Sequence, residues 1–216
     1  MCPEVNLKHF CHLVKVCKFL KVYYVFSFNL VADWGPDILN ETILQIQQGD
    51  KVMIIGVCSD IHDNLENLRK MMTIYEERQV EAIVFCGDFC SPIPSRVITA
   101  EFKGDIHCVF GNGDGDRFLI AGVAKQNPHL KLYGQHAVVD FDGVKVAATH
   151  YPFYANALAR TGDYQAVFSG HTHKANIERF GDCLNLNPGE VMGFTGEASC
   201  AVYDTVKNDA EIILIK

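Results

Sequence analysis

Five short polar clusters, each directly after an apolar run, constrain the fold of this chain more than any other feature of its sequence. Short apolar runs bounded by turn-forming residues are typical of buried strands. In open α/β sheets, ligands bind at the carboxyl ends of the strands. We therefore expect the five clusters to meet at one site. The clusters are Asp60-Ile61-His62, Gly87-Asp88, Gly111-Asn112-Gly113-Asp114, Thr149-His150 and Gly170-His171-Thr172-His173.

The first three clusters belong to repeated strand–helix units. The strands are predicted at residues 53–58, 81–86 and 106–110. Behind the first strand, apolar side chains recur at helical spacing at Leu65, Leu68, Met72 and Tyr75. The next two helices are predicted at residues 96–102 and 118–125. Such repeats indicate parallel strands joined by crossover helices.

The second half of the chain has a different pattern. Asp142-Gly143, between apolar runs at 137–141 and 144–149, predicts a β-hairpin. A helix is expected at 153–160. Further strands are expected at 166–169, 177–180, 183–186, 201–203 and 211–215. The overall pattern predicts parallel strands first and antiparallel strands later.

Residues 1–52 lack the regular strand and helix pattern that begins at Met53. We therefore predict an N-terminal extension at 1–52 and one domain at 53–216. Because Met53 opens the first core strand, one interpretation is an over-extended gene start, and the other is a genuine appendage. The apolar run at 22–32 is about half of the roughly 20 residues that a membrane-spanning helix needs. We therefore expect no transmembrane span.

Charge and cysteine content exclude some classes of function. A formal charge of −7 argues against a groove for nucleic acid, because such binding needs a basic surface. Nine cysteines without a C-x-x-C pair favour a reducing compartment, and we expect a cytoplasmic protein. The sequence is compatible with a homo-oligomer and does not fix the oligomeric state.

The side chains of the clusters form a set of oxygen and nitrogen ligands. Two aspartates, one asparagine and four histidines suit manganese, iron, zinc or nickel better than calcium, which prefers oxygen alone. Seven groups are more than one such ion usually takes, but they suit two ions that share a carboxylate. The candidate ligands are Asp60, His62, Asp88, Asn112, His150, His171 and His173.

The ordered motifs D-x-H, G-D, G-N, a single strand-end His and G-H-x-H resemble those of the calcineurin-like metallophosphoesterases. The resemblance spans residues 53–189 and is closest to the small, single-domain bacterial and archaeal phosphodiesterases. It implies an α/β fold, a four-layer α/β/β/α sandwich of two mixed sheets flanked by helices. It also implies that residues 53–216 are the metallophosphoesterase domain.

The resemblance also implies a site and a reaction. A hydroxide bridging two divalent ions, manganese before nickel, iron or zinc, is expected to attack a small phosphate ester in line. Asp88, Asn112 and His150 are the expected catalytic residues, and Asn112 and His150 also bind substrate. One ion is assigned to Asp60, His62, Asp88 and His173, and the other to Asp88, Asn112, His150 and His171.

The sequence departs from the family pattern at Gly113, where many larger members carry a histidine that donates to the leaving oxygen. The general acid therefore has no assigned residue, and we expect a preference for diesters with good leaving groups. The alternative function is a non-catalytic protein-binding scaffold of the same fold, as in a retromer-like subunit. The sequence does not choose the physiological substrate.

Overall fold

The computed structural model describes residues 52–216, so the predicted extension at 1–52 lies outside the described residues except for Val52. Every strand and helix predicted for the domain is present, with ends shifted by a few residues. The strands are β1 (Ile54–Cys58), β2 (Ala82–Phe85), β3 (Asp105–Cys108), β4 (Leu130–Leu132), β5 (His136–Phe141), β6 (Val144–Thr149), β7 (Ala166–Phe168), β8 (Asn176–Phe180), β9 (Cys183–Asn187), β10 (Ser199–Asp204) and β11 (Asp209–Leu214). The helices are α1 (Leu65–Glu77), α2 (Pro92–Glu101), α3 (Arg117–Gln126) and α4 (Pro152–Ala159).

The first sheet has six strands in the order β11-β10-β1-β2-β3-β4. Strands β1 to β4 run parallel, and each is joined to the next by a helix, which confirms the predicted strand–helix units. Strands β10 and β11 complete the sheet in antiparallel orientation. Strand β4 was not predicted, because it has three residues and only Leu130 is fully buried.

The second sheet has five strands in the order β5-β6-β7-β9-β8. Its hairpin confirms the Asp142-Gly143 prediction, since both residues have positive φ angles, 51° and 91°, as a tight hairpin turn requires. The expectation of antiparallel strands in this half is wrong for β6, β7 and β9, which are parallel neighbours. The helix α4 provides the crossover from β6 to β7.

Three apolar clusters separate four layers. The first packs α1, α2 and α3 on one face of the six-stranded sheet, the second fills the space between the sheets, and the third lies under α4. The four-layer α/β/β/α fold expected from the resemblance is therefore confirmed. No helix within residues 52–216 combines the length and the apolar character needed to cross a bilayer.

A buried tyrosine fixes α1 against the sheet directly beneath the first polar cluster. The Tyr75 hydroxyl donates to the carbonyl oxygen of Val57 at 2.9 Å, so its one polar group is satisfied in the core. A Cβ on Gly56 would lie 2.7 Å from the Tyr75 ring, which explains a glycine inside β1. The close packing holds the carboxyl end of β1 in place.

The described cysteines are free thiols, and most of them are buried. Burial raises the pKa of Cys86 and of Cys108 well above the ordinary thiol value. These two thiols are therefore uncharged packing groups and not nucleophiles. Cys2, Cys11 and Cys17 lie outside the described residues.

We predict that His107 makes stability depend on pH. This side chain is 5% exposed on β3, contacts the Tyr133 hydroxyl at 2.8 Å, and has its pKa lowered to about 4 by burial and by Lys131. An unfolded histidine titrates near pH 6.5, so acidification below that value protonates the unfolded chain first. Stability should thus fall from about pH 6.5 to about pH 4, by roughly 3 kcal/mol.

The measurement is urea unfolding of the native chain and of His107→Gln across that pH range. The variant should lose this part of the pH dependence, because glutamine does not titrate there. At pH 8 the imidazole is neutral in both states, so the difference measured there gives the fixed packing cost of the substitution. Parallel stability curves for the two proteins between pH 6.5 and 4 would contradict the prediction.

Candidate metal centre

The polar clusters meet at one edge of the two sheets, as predicted. Backbone hydrogen bonds join the loop after β1 to the loop after β2, with Asp60 N donating to Gly87 O at 2.9 Å and His62 N to Asp88 O at 3.1 Å. The loop after β7 joins them, because His171 N donates to the Asp60 carboxylate at 3.0 Å. The site is therefore built from loops that bond to one another.

Two groups of side chains bring potential ligand atoms within 4.8 Å of one another, Asp60 with His62 and His173, and Asp60 with Asp88 and His150. In the first group, His173 Nε2 lies 3.3 Å from Asp60 Oδ1. In the second, His150 Nε2 lies 3.4 Å from Asp88 Oδ2. The same Asp88 oxygen is 3.5 Å from His62 Nε2, so Asp88 faces both groups.

His150 and His173 are each fixed through Nδ1. The His150 Nδ1 lies 2.8 Å from the carbonyl oxygen of Cys86, which can only accept, so this nitrogen carries the proton. The His173 Nδ1 lies 2.6 Å from the Glu190 carboxylate. In both rings the Nε2 lone pair is then free and points toward the carboxylates. This tautomer is the one that metal-binding histidines adopt when a carbonyl or carboxylate holds Nδ1.

His62 has a different partner on Nδ1, the sulfur of Cys90 at 3.0 Å. When Nδ1–H donates to the sulfur, the Nε2 of His62 is free, as in the other two rings. Cys90 is half-buried, and its pKa is raised to about 11 by burial and by nearby carboxylates, so it is a neutral thiol. Sulfur is a weak acceptor, and His62 is therefore held less firmly than His150 or His173.

We predict that Cys90 supports metal binding through His62. The Cys90→Ala protein should bind Mn²⁺ about 10-fold more weakly, since loss of such a supporting contact typically costs that much. The Cys90→Ser protein should stay close to the native affinity, because its hydroxyl can accept from the ring. Titration calorimetry with Mn²⁺ measures the difference, and Cys183→Ala, buried under α4, is the control. Equal affinities for the alanine and serine proteins would exclude this role.

The side chains of Asp60 and His62 are placed so that a positive charge is needed between them. Asp60 Oδ1 and His62 Nε2 are buried and have no hydrogen-bond partner, although they lie only 3.6 Å apart. A lone pair that faces a carboxylate in the interior is unfavourable unless a proton or a cation lies between them. A divalent cation satisfies both atoms at once, and neutral imidazole with carboxylate is a donor set that transition-metal ions favour. The residues therefore fit a metal site.

The two buried aspartates differ in their electrostatics. Burial raises the pKa of Asp60, but the neighbouring His62, Ser59 and further histidines outweigh it, so the net shift is downward. For Asp88 burial prevails, and the Asp60 and Asp114 carboxylates raise its pKa further. The pKa of His62 is raised, chiefly by Asp60. Without a cation, Asp60 thus holds the negative charge more readily than Asp88.

Asp114 organises the loops without facing the histidines. Its carboxylate accepts from the backbone N–H groups of Asp88 at 3.1 Å, Gly111 at 2.8 Å and Cys90 at 3.2 Å. Asp114 thus organises its own turn and also holds the neighbouring loop after β2. Asp116 likewise caps α3, accepting from Leu119 N at 2.9 Å, as expected of a helix-starting aspartate.

Gly111 and Gly113 allow the third loop to approach Asp88. Gly113 N donates to Asp88 Oδ1 at 2.6 Å, and a Cβ on Gly113 would lie 3.0 Å from Asp88 Cγ. At Gly111 a Cβ would lie 2.1 Å from Asp88 Oδ1. A side chain in the place of Gly113 would therefore press on the Asp88 carboxylate, which would have to shift by a few tenths of an ångström.

Two predicted ligands lie at the margin of the grouped side chains. Asn112 Oδ1 is 3.0 Å from His150 Nε2, which places its amide beside the second group. His171 is exposed, and its ring centroid is 5.0 Å from that of His150. The structure thus gathers Asp60, His62, Asp88, His150 and His173 tightly, and leaves Asn112 and His171 on the outer side.

Glu190 is a site residue that the sequence analysis missed. It is fully buried, and one of its oxygens accepts from Thr195 N at 2.6 Å and from Gly196 N at 2.8 Å while the other holds His173. Burial raises the pKa of Glu190, but these donors outweigh it and keep the carboxylate ionised. The only sequence signal is an acidic residue directly after Asn187-Pro188-Gly189.

Backbone strain is concentrated at the same loops. Positive φ is uncommon for residues other than glycine and persists where the surrounding structure enforces it, often at functional sites. Five of the seven predicted ligands adopt it, which supports a function for these loops beyond chain reversal. They are Asp60 (55°), His62 (42°), Asp88 (67°), His171 (70°) and His173 (60°).

Comparisons with known proteins agree with the geometry. The family model described as the calcineurin-like phosphoesterase superfamily domain matches residues 53–208. Phosphodiesterase MJ0936 of Methanocaldococcus jannaschii is 33% identical over 169 residues, which cover 75% of this chain and 99% of that protein. The solved structure of an archaeal phosphodiesterase has a TM-score of 0.70 at 32% identity, with 75% of this chain and 99% of that chain covered. The structure of vacuolar protein sorting 29 of Cryptosporidium parvum has a TM-score of 0.51 at 17% identity. The match covers 76% of this chain and 97% of that chain.

Proposed function

Because the chain belongs to the calcineurin-like phosphoesterase superfamily, we propose that it is a phosphodiesterase that cleaves small phosphate diesters with the help of two divalent ions. One observation carries the proposal: the Nε2 atoms of His62, His150 and His173 point at the buried carboxylates of Asp60 and Asp88. The relative that is 33% identical is itself a phosphodiesterase. The reaction class is therefore proposed from the family and the donor set together.

The proposed ligands divide into two sets that share Asp88. Support comes from Asp88 Oδ2, which lies 3.5 Å from His62 Nε2 and 3.4 Å from His150 Nε2. When bound, the ions supply the positive charge that orients the phosphate and activates the attacking water. The first set is Asp60, His62, Asp88 and His173, and the second is Asp88, Asn112, His150 and His171.

Asn112 and His150 are proposed to bind the substrate phosphate as well. They lie side by side, with His150 buried and Asn112 exposed, so the Asn112 amide can also donate to a phosphate oxygen. Gly113 offers no side chain to protonate the leaving oxygen, and a larger residue would crowd Asp88. The chain should accordingly prefer diesters whose leaving group departs as a stable anion.

Manganese is the proposed ion, because the set combines carboxylate, amide and imidazole ligands without thiolate. Nickel, iron and zinc are the alternatives, because the same ligands suit them as well. The cytoplasm is the proposed location, which is supported by the free thiols among the described cysteines.

The test is hydrolysis of bis(4-nitrophenyl) phosphate by the full chain before and after Mn²⁺ is added to chelator-treated protein. Activity should require the ion and should be lost in His150→Ala. It should persist in His129→Ala, a histidine before β4 that contacts Thr99 O. Dimethyl phosphate should react far more slowly. Native protein that binds Mn²⁺ and yet cleaves no diester would exclude the proposal.

The scaffold alternative gains no support from the likeness to vacuolar protein sorting 29. At 17% identity that likeness shows the fold alone. The fold serves several functions, so the choice depends on the site. Every predicted ligand position in this chain carries a side chain able to bind a metal, which favours hydrolysis.

A further inference from the structure

The loop after β6 continues from His150 into a group of aromatic side chains at the start of α4. Tyr151 precedes the helix, and Phe153 and Tyr154 lie in its first turn. Phe153 is 79% exposed and Tyr154 is 56% exposed. We call Tyr151, Phe153 and Tyr154 the aromatic platform.

Ring contacts connect the aromatic platform to the metal centre. The Tyr151 ring meets the His171 ring with centroids 5.2 Å apart, and it meets the His150 ring at 5.1 Å. From Tyr151 the contacts continue to Tyr154 at 6.1 Å, and from there to Phe153 at 5.4 Å. Successive rings are tilted by 65° to 78°, so each leaves part of a face open. The ring contacts thus extend from the metal centre to the exposed side chain of Phe153.

The fold does not need these rings. Helix α4 packs on its sheet through Ala155 and Ala159, which are buried in the cluster under the helix. Phe153 and Tyr154 are exposed and are not members of that cluster. Contiguous exposed apolar side chains rimmed by polar residues are typical of ligand-binding surfaces.

We infer that the aromatic platform is the subsite for a flat aromatic group of the substrate, and that the substrate is a nucleotide diester whose base stacks on Tyr154 and Phe153. The inference rests on the proposed function, because the phosphate is assigned to the metal centre. Stacking on an aromatic side chain stabilises a base of any sequence by about 1–3 kcal/mol. The two stacking rings, Tyr154 and Phe153, lie two and three ring contacts from His171.

The test compares two ligands that differ only in the base, adenosine 5′-monophosphate and ribose 5-phosphate, bound to the Mn²⁺-loaded full chain. Titration calorimetry should give a tighter Kd for the nucleotide by roughly 10-fold, the ratio that one stacked base supplies. The double substitution Phe153→Ala and Tyr154→Ala should remove this ratio and leave the Kd of ribose 5-phosphate unchanged. Tyr154→Phe should keep the ratio, because its ring is intact.

The control is Phe118→Ala, which removes another exposed phenylalanine, 87% exposed at the start of α3. It should leave the ratio unchanged. Equal Kd values for the two ligands, binding of neither, or an equal loss of both in the double variant would overturn the inference. Failure of diester hydrolysis with an intact nucleotide preference would instead overturn the proposed function, so the two outcomes are separable.

Discussion

The Asp88→Asn protein should lose both Mn²⁺ binding and diester hydrolysis while its metal-free form stays as stable as the native chain or becomes more stable. Asp88 Oδ2 lies within 3.5 Å of both His62 Nε2 and His150 Nε2, so this carboxylate faces a histidine of each proposed set. A metal contributes several kcal/mol to the stabilisation of developing charge. Activity should therefore fall by about a thousandfold, at 1.36 kcal/mol per tenfold.

The expected stability of the metal-free Asp88→Asn protein follows from the loss of the negative charge of Asp88. The pKa of Asp88 is raised by burial and by the carboxylates of Asp60 and Asp114, so its ionised form is disfavoured in the metal-free protein. Asparagine keeps an oxygen that can accept from Gly113 N and removes the repulsion. Mn²⁺ should raise the Tm of the native chain by mass action and leave that of the variant unchanged.

Differential scanning calorimetry with and without Mn²⁺ tests the expected stability and metal binding. The rate of bis(4-nitrophenyl) phosphate hydrolysis tests the expected loss of activity. Asp142→Asn is the matched control, because it makes the same chemical change at the exposed β5–β6 turn, where asparagine before glycine is equally suited. A variant that still gains thermal stability from Mn²⁺ as the native chain does would show that Asp88 is not the shared ligand.

The fold could be predicted where local pattern determines it. Strand β1 is a continuous apolar run followed by Asp60, and α1 repeats apolar residues at helical spacing, so each element follows from its own residues. The helix α2 begins earlier than predicted, because Ser91 caps it and Pro92 is favoured in the first turn. The convergence of the polar clusters followed from the rule that parallel strands end at one edge.

The order of the strands in the second sheet could not be predicted from the sequence. The parallel pairing of β6, β7 and β9 places β9 beside β7 although β8 lies between them in the chain. This strand order depends on long-range packing, which short sequence patterns do not predict. Strand β4 is short and lies at the edge of its sheet, so its residues Leu130, Lys131 and Leu132 resemble a loop.

The sequence indicated the types of ligand but not what holds them. Five of the seven predicted ligands come together because each strand-end position follows from local pattern. Cys90 meets His62 from 28 residues away, and Glu190 meets His173 from a separate loop. Such supporting contacts depend on how the loops approach each other, and one sequence gives no signal for that approach.

The Glu190→Gln protein should fold and yet bind Mn²⁺ about 100-fold more weakly, at the upper end of what loss of such support costs. The Glu190 oxygen that accepts from Thr195 and Gly196 fixes the orientation of a glutamine amide, because its carbonyl must face those donors. Its NH₂ group then faces His173 Nδ1 at the position of the present 2.6 Å contact. A donor there forces Nδ1 to accept, and the ring proton moves to Nε2.

The tautomer itself can be observed. Nitrogen-15 NMR of labelled histidine should show His173 protonated at Nδ1 in the native metal-free chain and at Nε2 in Glu190→Gln, and the second tautomer has no lone pair for a metal. Glu190→Ala is a harsher change, since it leaves the buried donors of Thr195 and Gly196 unpaired, and it should cost about 3 kcal/mol of stability.

The matched control is Glu197→Gln, which removes the same charge from an exposed position in the same loop. It should leave the Mn²⁺ affinity and the His173 tautomer unchanged, and it separates net charge from the specific contact. If Glu190→Gln kept His173 protonated at Nδ1 and bound Mn²⁺ as tightly as the native chain, the carboxylate would be a loop-building group alone. Loss of affinity together with a moved proton assigns it to the metal centre, as the residue that makes His173 a ligand.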